Sequence, residues 1–281
     1  MDKPAGPTSH DVVDAVRRAL GMRRVGHAGT LDPPATGLLV VLTGRATRLT
    51  RFVAMLPKRY AGTVQFGWET STDDAAGTPT SPPDASWRDA DPARLRAALE
   101  EIAAQAVQVP PAVSAKQQDG ERAYRKARRG ETVSLAAVPV RIDRIDMGAW
   151  DAEAGALDIE VTCGAGTYIR AIARDLGRAV GSGAHLSRLR RVAIGEWTVA
   201  AALPLDRVAP AEVGVALRPL AEAVAHLPRL ALTPEDARRF RFGQKLSAPP
   251  APLVAVFEGD ALLGVGEDRD GALCAAVGLA S

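Results

Sequence analysis

Three glycines and two prolines fall close together near the start of the chain, in residues 26–37, which read GHAGTLDPPATG. Glycine and proline disfavour the interior of helices and strands, and clusters of them mark turns and loops. The segment therefore predicts a tight, glycine-bounded loop. One acidic residue, Asp32, lies within it, next to Leu31 and Pro33, which we expect to shield its carboxylate from water.

Regular elements are predicted on both sides of this loop. Before it, a Thr-Ser pair at residues 8–9 precedes apolar residues at helical spacing, and Gly21 stands where a helix end is expected. After it, the apolar run at residues 38–42 predicts one buried strand. Alternating apolar positions in residues 60–66 predict a second strand.

The rest of the first two thirds of the chain mixes both types of element. Asp91-Pro92 is typical of a helix start, and residues 138–142 and 157–163 alternate as strands do. Residues 169–180 carry apolar side chains at helical spacing. This order predicts an α+β fold, with a mainly antiparallel sheet flanked by helices.

The end of the chain has a different pattern. Two short apolar runs, at residues 253–257 and 262–265, follow a weak helix signal and predict a small β-rich domain. We therefore divide the chain into a catalytic domain, residues 1–227, and a tail domain, residues 228–281.

Composition excludes several classes of protein. The longest apolar run is far too short to cross a bilayer, so we expect a cytoplasmic protein. The two cysteines, Cys163 and Cys274, have no ligand-like spacing with the four histidines, so neither a zinc site nor a disulfide framework is indicated. A net charge of +2 neither demands nor excludes a polyanionic partner.

Two common catalytic motifs are missing from the sequence. It contains no Gly-x-Ser-x-Gly elbow and no phosphate-binding loop that ends in Gly-Lys-Ser/Thr. What remains is the single carboxylate of Asp32 in its loop. A lone aspartate in a loop is most often a turn former, so the loop alone does not assign a catalytic role.

The same loop resembles the catalytic-aspartate motif of the bacterial tRNA pseudouridine-55 synthases, the TruB family. The likeness continues in order through most of residues 2–200. It includes Asp2-Lys3-Pro4, Lys58-Arg59-Tyr60, Asp74 with Gly77, Gly166-Thr167-Tyr168-Ile169-Arg170 and Gly183-Ala184-His185-Leu186.

The resemblance implies an isomerase that acts on uridine 55 in the T-loop of tRNA, with no cofactor and no metal. The bond between C1' of the ribose and N1 of the base is cut, the base turns, and C1' rejoins at C5. Because the target lies in a folded RNA loop, the nucleotide must be flipped out, at a cost of roughly a few kcal/mol.

Catalytic and substrate-binding roles follow from the matched positions. Asp32 is expected to act as the nucleophile or to assist elimination at the ribose, and the resemblance leaves both mechanisms open. Arg170 is expected to form its ion pair through a two-pronged guanidinium contact. Tyr60 is expected to stack on the base and help to remove the C5 proton. The residues expected to bind substrate are His27, Tyr168, Leu189, Asp74 and Lys3.

The resemblance also implies two regions that bind RNA. One is a basic arm at about residues 111–135, in which Gln117 stands where the family commonly has lysine. The other is the tail, which resembles a PUA-type RNA-binding domain. The side chains expected on the RNA backbone are Lys116, Arg122, Arg125, Lys126, Arg190 and Arg191.

Two hypotheses follow for the function. The first is a tRNA pseudouridine synthase that recognises the T-arm stem-loop as a monomer without an obligatory protein partner. The alternative is a non-catalytic RNA-binding protein or tRNA folding chaperone with the same surface. A pure binder has no need of a carboxylate paired with a buried cation, so Asp32, Tyr60 and Arg170 distinguish the two.

Overall fold

The structure is a computed structural model that describes residues 1–113, 135–247 and 249–279, and only the backbone at 117–118 and 121–122. The chain forms two compact units. Unit 1 consists of Met1–Thr8, Leu31–Leu38 and Leu56–Ala202, and unit 2 of Ser9–Thr30, Leu39–Met55 and Leu203–Ser281. Each unit is described by itself.

The chain contains both helices and strands, as predicted for an α+β fold. The helices are α1 (Ser9–Leu20), α2 (Thr50–Ala54), α3 (Pro92–Ala103), α4 (Ile169–Ala179), α5 (Pro210–Ala216) and α6 (Pro234–Arg241). The strands are β1 (Asp2–Lys3), β2 (Val25–Ala28), β3 (Thr36–Leu38), β4 (Val40–Thr43), β5 (Lys58–Phe66), β6 (Val107–Gln108), β7 (Gln117–Gln118), β8 (Glu121–Arg122), β9 (Val138–Pro139), β10 (Ile142–Asp151), β11 (Ala156–Cys163), β12 (Ala184–Ile194), β13 (Trp197–Thr198), β14 (Arg229–Ala231), β15 (Leu246–Ser247), β16 (Leu253–Glu258), β17 (Ala261–Arg269) and β18 (Ala272–Gly278). Short 3-10 helices are found at Gly44–Leu49, Ser86–Asp89, Val199–Ala201, Leu205–Arg207 and Leu220–Val224.

Unit 1 is built on a seven-stranded sheet in the order β1-β3-β12-β5-β11-β10, with β13 paired to β12. Only the β12–β3 pair in this sheet is parallel, which confirms the prediction of a mainly antiparallel sheet. The predicted strands at 60–66 and 157–163 are β5 and β11, and they are neighbours. The sequence analysis did not identify β12, which lies between β3 and β5.

The hydrophobic core of unit 1 is formed by the sheet together with α3 and α4. Alternate residues of β5 and β11 enter this core, among them Val64 and Val161, which are fully buried. Helix α3 begins where predicted, because the Asp91 side chain accepts a hydrogen bond from Arg94 N at 2.8 Å. Helix α4 also lies where predicted and contributes Ile172 and Leu176. The start of α4 is therefore fixed relative to the sheet.

Unit 2 contains the predicted first helix, α1, the β2–β4 pair and a five-stranded sheet in the order β14-β16-β17-β18-β15. In that sheet, β16 and β17 confirm the two predicted apolar runs. Helix α6 begins at Thr233, whose hydroxyl accepts from Asp236 N, and it packs Phe240 on the core of the sheet. Cys163, in unit 1, is buried, whereas Cys274 is partly buried.

The prediction of a single strand at residues 38–42 is wrong. The structure has two strands there, and β3 belongs to unit 1 whereas β4 pairs with β2 in unit 2. The run gives no sign of the break because Leu38, Leu39 and Leu42 are all buried. Among the described residues, no helix is long and apolar enough to cross a membrane.

Candidate active site

The loop that carries Asp32 is held by backbone contacts and by one buried lysine. Gly6 N donates to Pro33 O at 2.9 Å, and Ala35 N donates to Asp32 O at 3.1 Å. Lys3 Nζ donates to the carbonyls of Pro33 and Ala35 at 3.0 and 2.7 Å. The backbone on both sides of Asp32 is thus fixed before any substrate binds.

Lys3 itself cannot contact a substrate. Its side chain is fully buried, and Nζ also donates to Pro4 O at 2.9 Å. A buried ammonium needs such partners because its loss of hydration is costly. The prediction that Lys3 binds substrate is therefore wrong, and the lysine instead holds the loop in place.

An ion pair joins this loop to the first turn of α4. Arg170 Nε lies 3.1 Å from Oδ2 of Asp32. The guanidinium is buried, with 7% of the side chain exposed, whereas 42% of the Asp32 side chain is exposed. The carboxylate therefore combines a desolvated cationic partner with an open side. Pro33 is also exposed, so the predicted shielding of Asp32 from water is wrong in the free protein.

Arg170 does not form the predicted two-pronged contact with Asp32. Its Nη1 donates to Thr72 O at 2.7 Å and its Nη2 to Val113 O at 3.0 Å. The three donor nitrogens therefore go to three separate segments, and only Nε serves the carboxylate. This arrangement fixes the plane and direction of the guanidinium, because neither end can rotate without losing a hydrogen bond.

A second carboxylate, that of Asp74, lies near the same nitrogen of Arg170. Its Oδ2 is 3.7 Å from Arg170 Nε, and its Oδ1 accepts from Thr72 Oγ1 at 2.5 Å and from Ala76 N at 3.0 Å. The Thr70 hydroxyl donates to Asp74 O at 2.7 Å. Asp74, which the sequence predicted to bind substrate, is thus part of a well-ordered turn beside the pair.

A further ion pair lies next to this turn and was not predicted. Arg174 Nη1 is 2.8 Å from Asp73 Oδ2, and both side chains are nearly buried. Burial raises the pKa of Asp73, and the nearby Arg174 and Arg170 oppose that rise. Asp73 has a left-handed backbone, with φ of 58°. The sequence contained one clue to this pair. Arg174 is four residues after Arg170, so both lie on one face of the helix.

Tyr60 lies close to the Asp32–Arg170 ion pair. It is half-buried on β5, directly opposite Arg191 on β12. Burial raises the pKa of the Tyr60 phenol, and Arg191 opposes the rise, whereas the Asp32 carboxylate adds to it. The phenol is therefore protonated at neutral pH, so it can donate a hydrogen bond and stack, but it is not a ready base.

Arg191 is a structural residue, and the prediction that it binds the RNA backbone is wrong. Only 1% of the residue is exposed, and its Nε donates to Leu38 O at 2.7 Å. Its backbone lies so close to Gly37 that a Cβ there would be 2.3 Å from Arg191 O. Arg190 is partly exposed, and both its terminal nitrogens bind the Asp2 carboxylate, at 3.1 and 2.7 Å.

The remaining predicted substrate residues are found in different places. Tyr168 is the residue immediately before α4, and its backbone N donates to Gln108 Oε1 at 2.9 Å. Leu189 is partly buried against the core of unit 1. His27 is on β2 in unit 2, opposite Val41.

The arm lies largely outside the described residues. The predicted RNA-contacting residues Lys116, Arg125 and Lys126 are not among those described, and Arg122 is described only by its backbone in β8. Within residues 1–113, 135–247 and 249–279, no group of three or more His, Cys, Asp or Glu side chains is placed to hold a metal ion.

Comparisons with known proteins give matches over most of the chain. A family model described as "TruB family pseudouridylate synthase (N terminal domain)" matches residues 17–169. A Thermobifida fusca protein named tRNA pseudouridine synthase B is 46% identical over 96% of this chain and 94% of its own length. A protein of the same name from Gloeobacter violaceus is 44% identical over 97% of this chain and 95% of its own length.

Solved structures show the same fold at lower identity. One is described as a Cbf5-Nop10-Gar1 complex, with a TM-score of 0.75, 22% identity and coverage of 99% of this chain and 83% of the matched chain. Another is an H/ACA RNP bound to a substrate RNA that contains 2'-deoxyuridine, with a TM-score of 0.74, 22% identity and coverage of 100% and 84%. At this identity the likeness supports the α+β fold alone.

Proposed function

The chain belongs to the TruB family of pseudouridylate synthases, and we propose that Asp32 is the carboxylate with which it converts uridine 55 of the tRNA T-loop to pseudouridine. It is an isomerase that forms pseudouridine in tRNA. One observation supports the role of Asp32 above all others. Its half-exposed carboxylate is paired at 3.1 Å with a guanidinium that is buried and held by two backbone carbonyls.

The reaction is a rearrangement within one nucleotide. The bond between C1' and N1 breaks, the uracil turns while it stays in the pocket, and C1' forms a bond to C5. The proton on C5 is lost and N1 gains one, so no atom is added or removed overall. Asp32 either bonds to C1' or assists elimination at the ribose, and both routes need the ionised carboxylate.

Arg170 serves this chemistry by orienting the Asp32 carboxylate and by offering it a fixed opposite charge at 3.1 Å. Because Arg170 has already lost its water and is held by Thr72 and Val113, it need not reorganise when substrate covers Asp32.

Five other residues are proposed to contact the substrate. Tyr60 stacks on the flipped base, and its protonated phenol donates a hydrogen bond. Tyr168 and Leu189 line the pocket, Asp74 binds the uridine, and His27 enters the space that the flipped base leaves. Removal of the C5 proton by Tyr60 requires that substrate binding lower the phenol pKa, since burial raises it in the free protein.

The RNA is held by a larger surface than this pocket. We assign backbone contacts to the arm at about residues 111–135 and to Arg190, which is partly exposed. The tail, residues 228–281, is proposed as a PUA-like RNA-binding domain, separate from the catalytic domain at residues 1–227. We further propose that the protein acts in the cytoplasm as a monomer that needs no protein partner to recognise the T-arm.

The direct test is incubation of the protein with an unmodified tRNA transcript, followed by chemical mapping of pseudouridine. We expect one modified position, uridine 55. A matched transcript with cytidine at that position is expected to remain unmodified throughout. Binding of the transcript without any pseudouridine would support the alternative of an RNA-binding protein or folding chaperone. Modification only outside the T-loop would contradict the assigned target.

A further inference from the structure

The geometry points to Gln108 as a positioning residue for the isomerisation, which acts through the backbone of Tyr168. Gln108 is the last residue of β6, and its side-chain amide hydrogen-bonds to the backbone of Tyr168. This inference rests on the proposed function, because it assigns Gln108 a role in that same reaction. Four observations support it.

The first observation is the contact itself. Gln108 Nε2 donates to Tyr168 O at 3.1 Å, and Tyr168 N donates to Gln108 Oε1 at 2.9 Å. A side-chain amide thus pairs with both polar backbone groups of one residue, as a neighbouring strand would. Two hydrogen bonds to one peptide segment fix its orientation as well as its distance.

The second observation is the place where this contact occurs. The Tyr168 carbonyl also accepts from Ala171 N at 3.1 Å and from Ile172 N at 3.3 Å, so it forms the first hydrogen bonds of α4. Gln108 therefore holds the residue at which the helix begins. Arg170 is in the first turn, so a small rotation of this turn moves the guanidinium relative to Asp32.

The third observation is that Gln108 is buried, with 4% of the residue exposed. The side-chain amide of Gln108 is therefore mostly shielded from solvent in the wild-type protein. A buried backbone donor that loses its partner costs about 1–3 kcal/mol, so the backbone of Tyr168 is expected to shift toward a new partner. Such a shift would carry the Tyr168 side chain with it.

The fourth observation is that polar contacts, rather than close packing, join this segment to α4. A cavity of about 460 Å³ lies between them, lined by Gln108, Val109 and Arg174 among others. Across it, Arg174 Nη2 donates to Val109 O at 2.9 Å. A second contact joins residues that do not line the cavity, since Arg170 Nη2 donates to Val113 O at 3.0 Å. Of these contacts, only that of Gln108 acts on a proposed pocket residue through its backbone.

The test compares turnover of three variants with that of the wild-type protein on the same tRNA transcript. Gln108→Ala removes both hydrogen bonds, and Gln108→Glu keeps the shape. Gln105→Ala is the matched control, because Gln105 lines the same cavity but is exposed. We expect Gln108→Ala to lower kcat by about 10- to 100-fold, since small displacements of reacting groups have effects of this size. We expect KM for tRNA to change by less than about threefold, since most binding contacts lie elsewhere.

The Gln108→Glu variant gives a readout that a purely structural role would not change. A neutral carboxylic acid can donate to Tyr168 O and accept from Tyr168 N, whereas a carboxylate cannot donate. The ratio of kcat for Gln108→Glu to wild type is therefore expected to rise as pH falls from about 8 to about 5.5, because burial raises carboxyl pKa values. The same ratio for Gln108→Ala is expected to stay flat.

Two results would overturn the inference. One is a kcat for Gln108→Ala within about twofold of wild type while the melting temperature falls, which makes Gln108 a stabilising residue only. The other is a flat pH ratio for Gln108→Glu, which remains measurable even if Gln108→Ala fails to fold. A wild-type protein that forms no pseudouridine would instead contradict the proposed function.

Discussion

Basic residues take opposite roles in the candidate active site of unit 1 and in helix α6 of unit 2. In the site, Arg170 and Arg174 are almost fully buried, and their donors reach carbonyls far away in the sequence. In the tail, Arg239 and Arg241 remain partly exposed and pair with single carboxylates, those of Asp236 and Glu258. Composition alone does not distinguish these two groups, because arginine is abundant in both regions.

The difference shows how the chain holds its reactive side chains in position. A buried guanidinium that bridges several segments cannot lose a partner without leaving a desolvated charge, so it holds those segments at fixed distances. An exposed pair is screened by water and contributes little. The precision needed at Asp32 therefore comes from buried cations, and the tail does not need it.

The largest effect is expected for Arg170→Lys. Lysine keeps the charge, but one ammonium cannot serve Asp32, Thr72 O and Val113 O together. We expect kcat to fall by about 100- to 1000-fold, the usual cost of losing a preorganised electrostatic group. The measurement is single-turnover pseudouridine formation. Arg178→Lys is the control on the same helix, because Arg178 is exposed, and a loss below about threefold for Arg170→Lys would contradict the comparison.

The next effect is on stability, for Arg174→Met. The change leaves the Asp73 carboxylate buried without its cation, and such a loss costs about 3–5 kcal/mol of unfolding free energy. Urea denaturation measures it. The double variant Arg174→Met with Asp73→Asn is expected to recover part of the loss, since no buried charge remains. A loss below about 1 kcal/mol in the single variant would show that Arg174 contributes no more to stability than the exposed arginines of the tail.

Lys58 gives a pH test of the same contrast. Burial lowers the pKa of Lys58 from 10.5 to about 8, and Nζ donates to Leu56 O. Between these two values the unfolded chain holds a proton that the folded chain has lost, so the free energy of unfolding rises with pH. We expect this rise to be about 1 kcal/mol larger in wild type than in Lys58→Met. Denaturation at a series of pH values measures it, and identical slopes would contradict the lowered pKa of Lys58.

The smallest effect is expected for Arg239→Ala in the tail. Arg239 pairs with Asp236 three residues earlier in α6, and both are partly exposed. We expect the free energy of unfolding to fall by less than about 1 kcal/mol, as is usual for exposed pairs. Urea denaturation of the full chain measures it. A fall above about 2 kcal/mol would show that the tail also relies on its ion pairs for structure.

Much of the fold was predictable because its periodic patterns are clear. The strands β5 and β11 and the helix α4 have apolar residues at strand or helical spacing. The strand β12 was missed because three arginines interrupt its alternation. A register shift between Leu186 and Arg188 disturbs it further. Only the neighbouring strands show that Arg191 faces Tyr60 and the interior.

The residues of the candidate site were predictable where they belong to long sequence motifs, and not elsewhere. The Asp32–Arg170 ion pair was predicted and is present. Lys3 and Arg191 were assigned to substrate and RNA because basic side chains are usually exposed, and their burial depends on contacts with distant parts of the chain. The Asp73–Arg174 pair was missed because adjacent aspartates are typical of an ordinary turn.

The most direct test of the central claim is the rate of pseudouridine formation by Asp32→Asn. Asparagine keeps the size of the side chain and removes the negative charge that both proposed mechanisms need. Wild type and variant are compared in single turnover with saturating protein and unmodified tRNA, and the affinity for tRNA is measured in parallel. We predict no detectable pseudouridine at uridine 55 with Asp32→Asn, while tRNA affinity stays within about threefold of wild type. Modification by Asp32→Asn at a rate close to that of wild type would contradict the account.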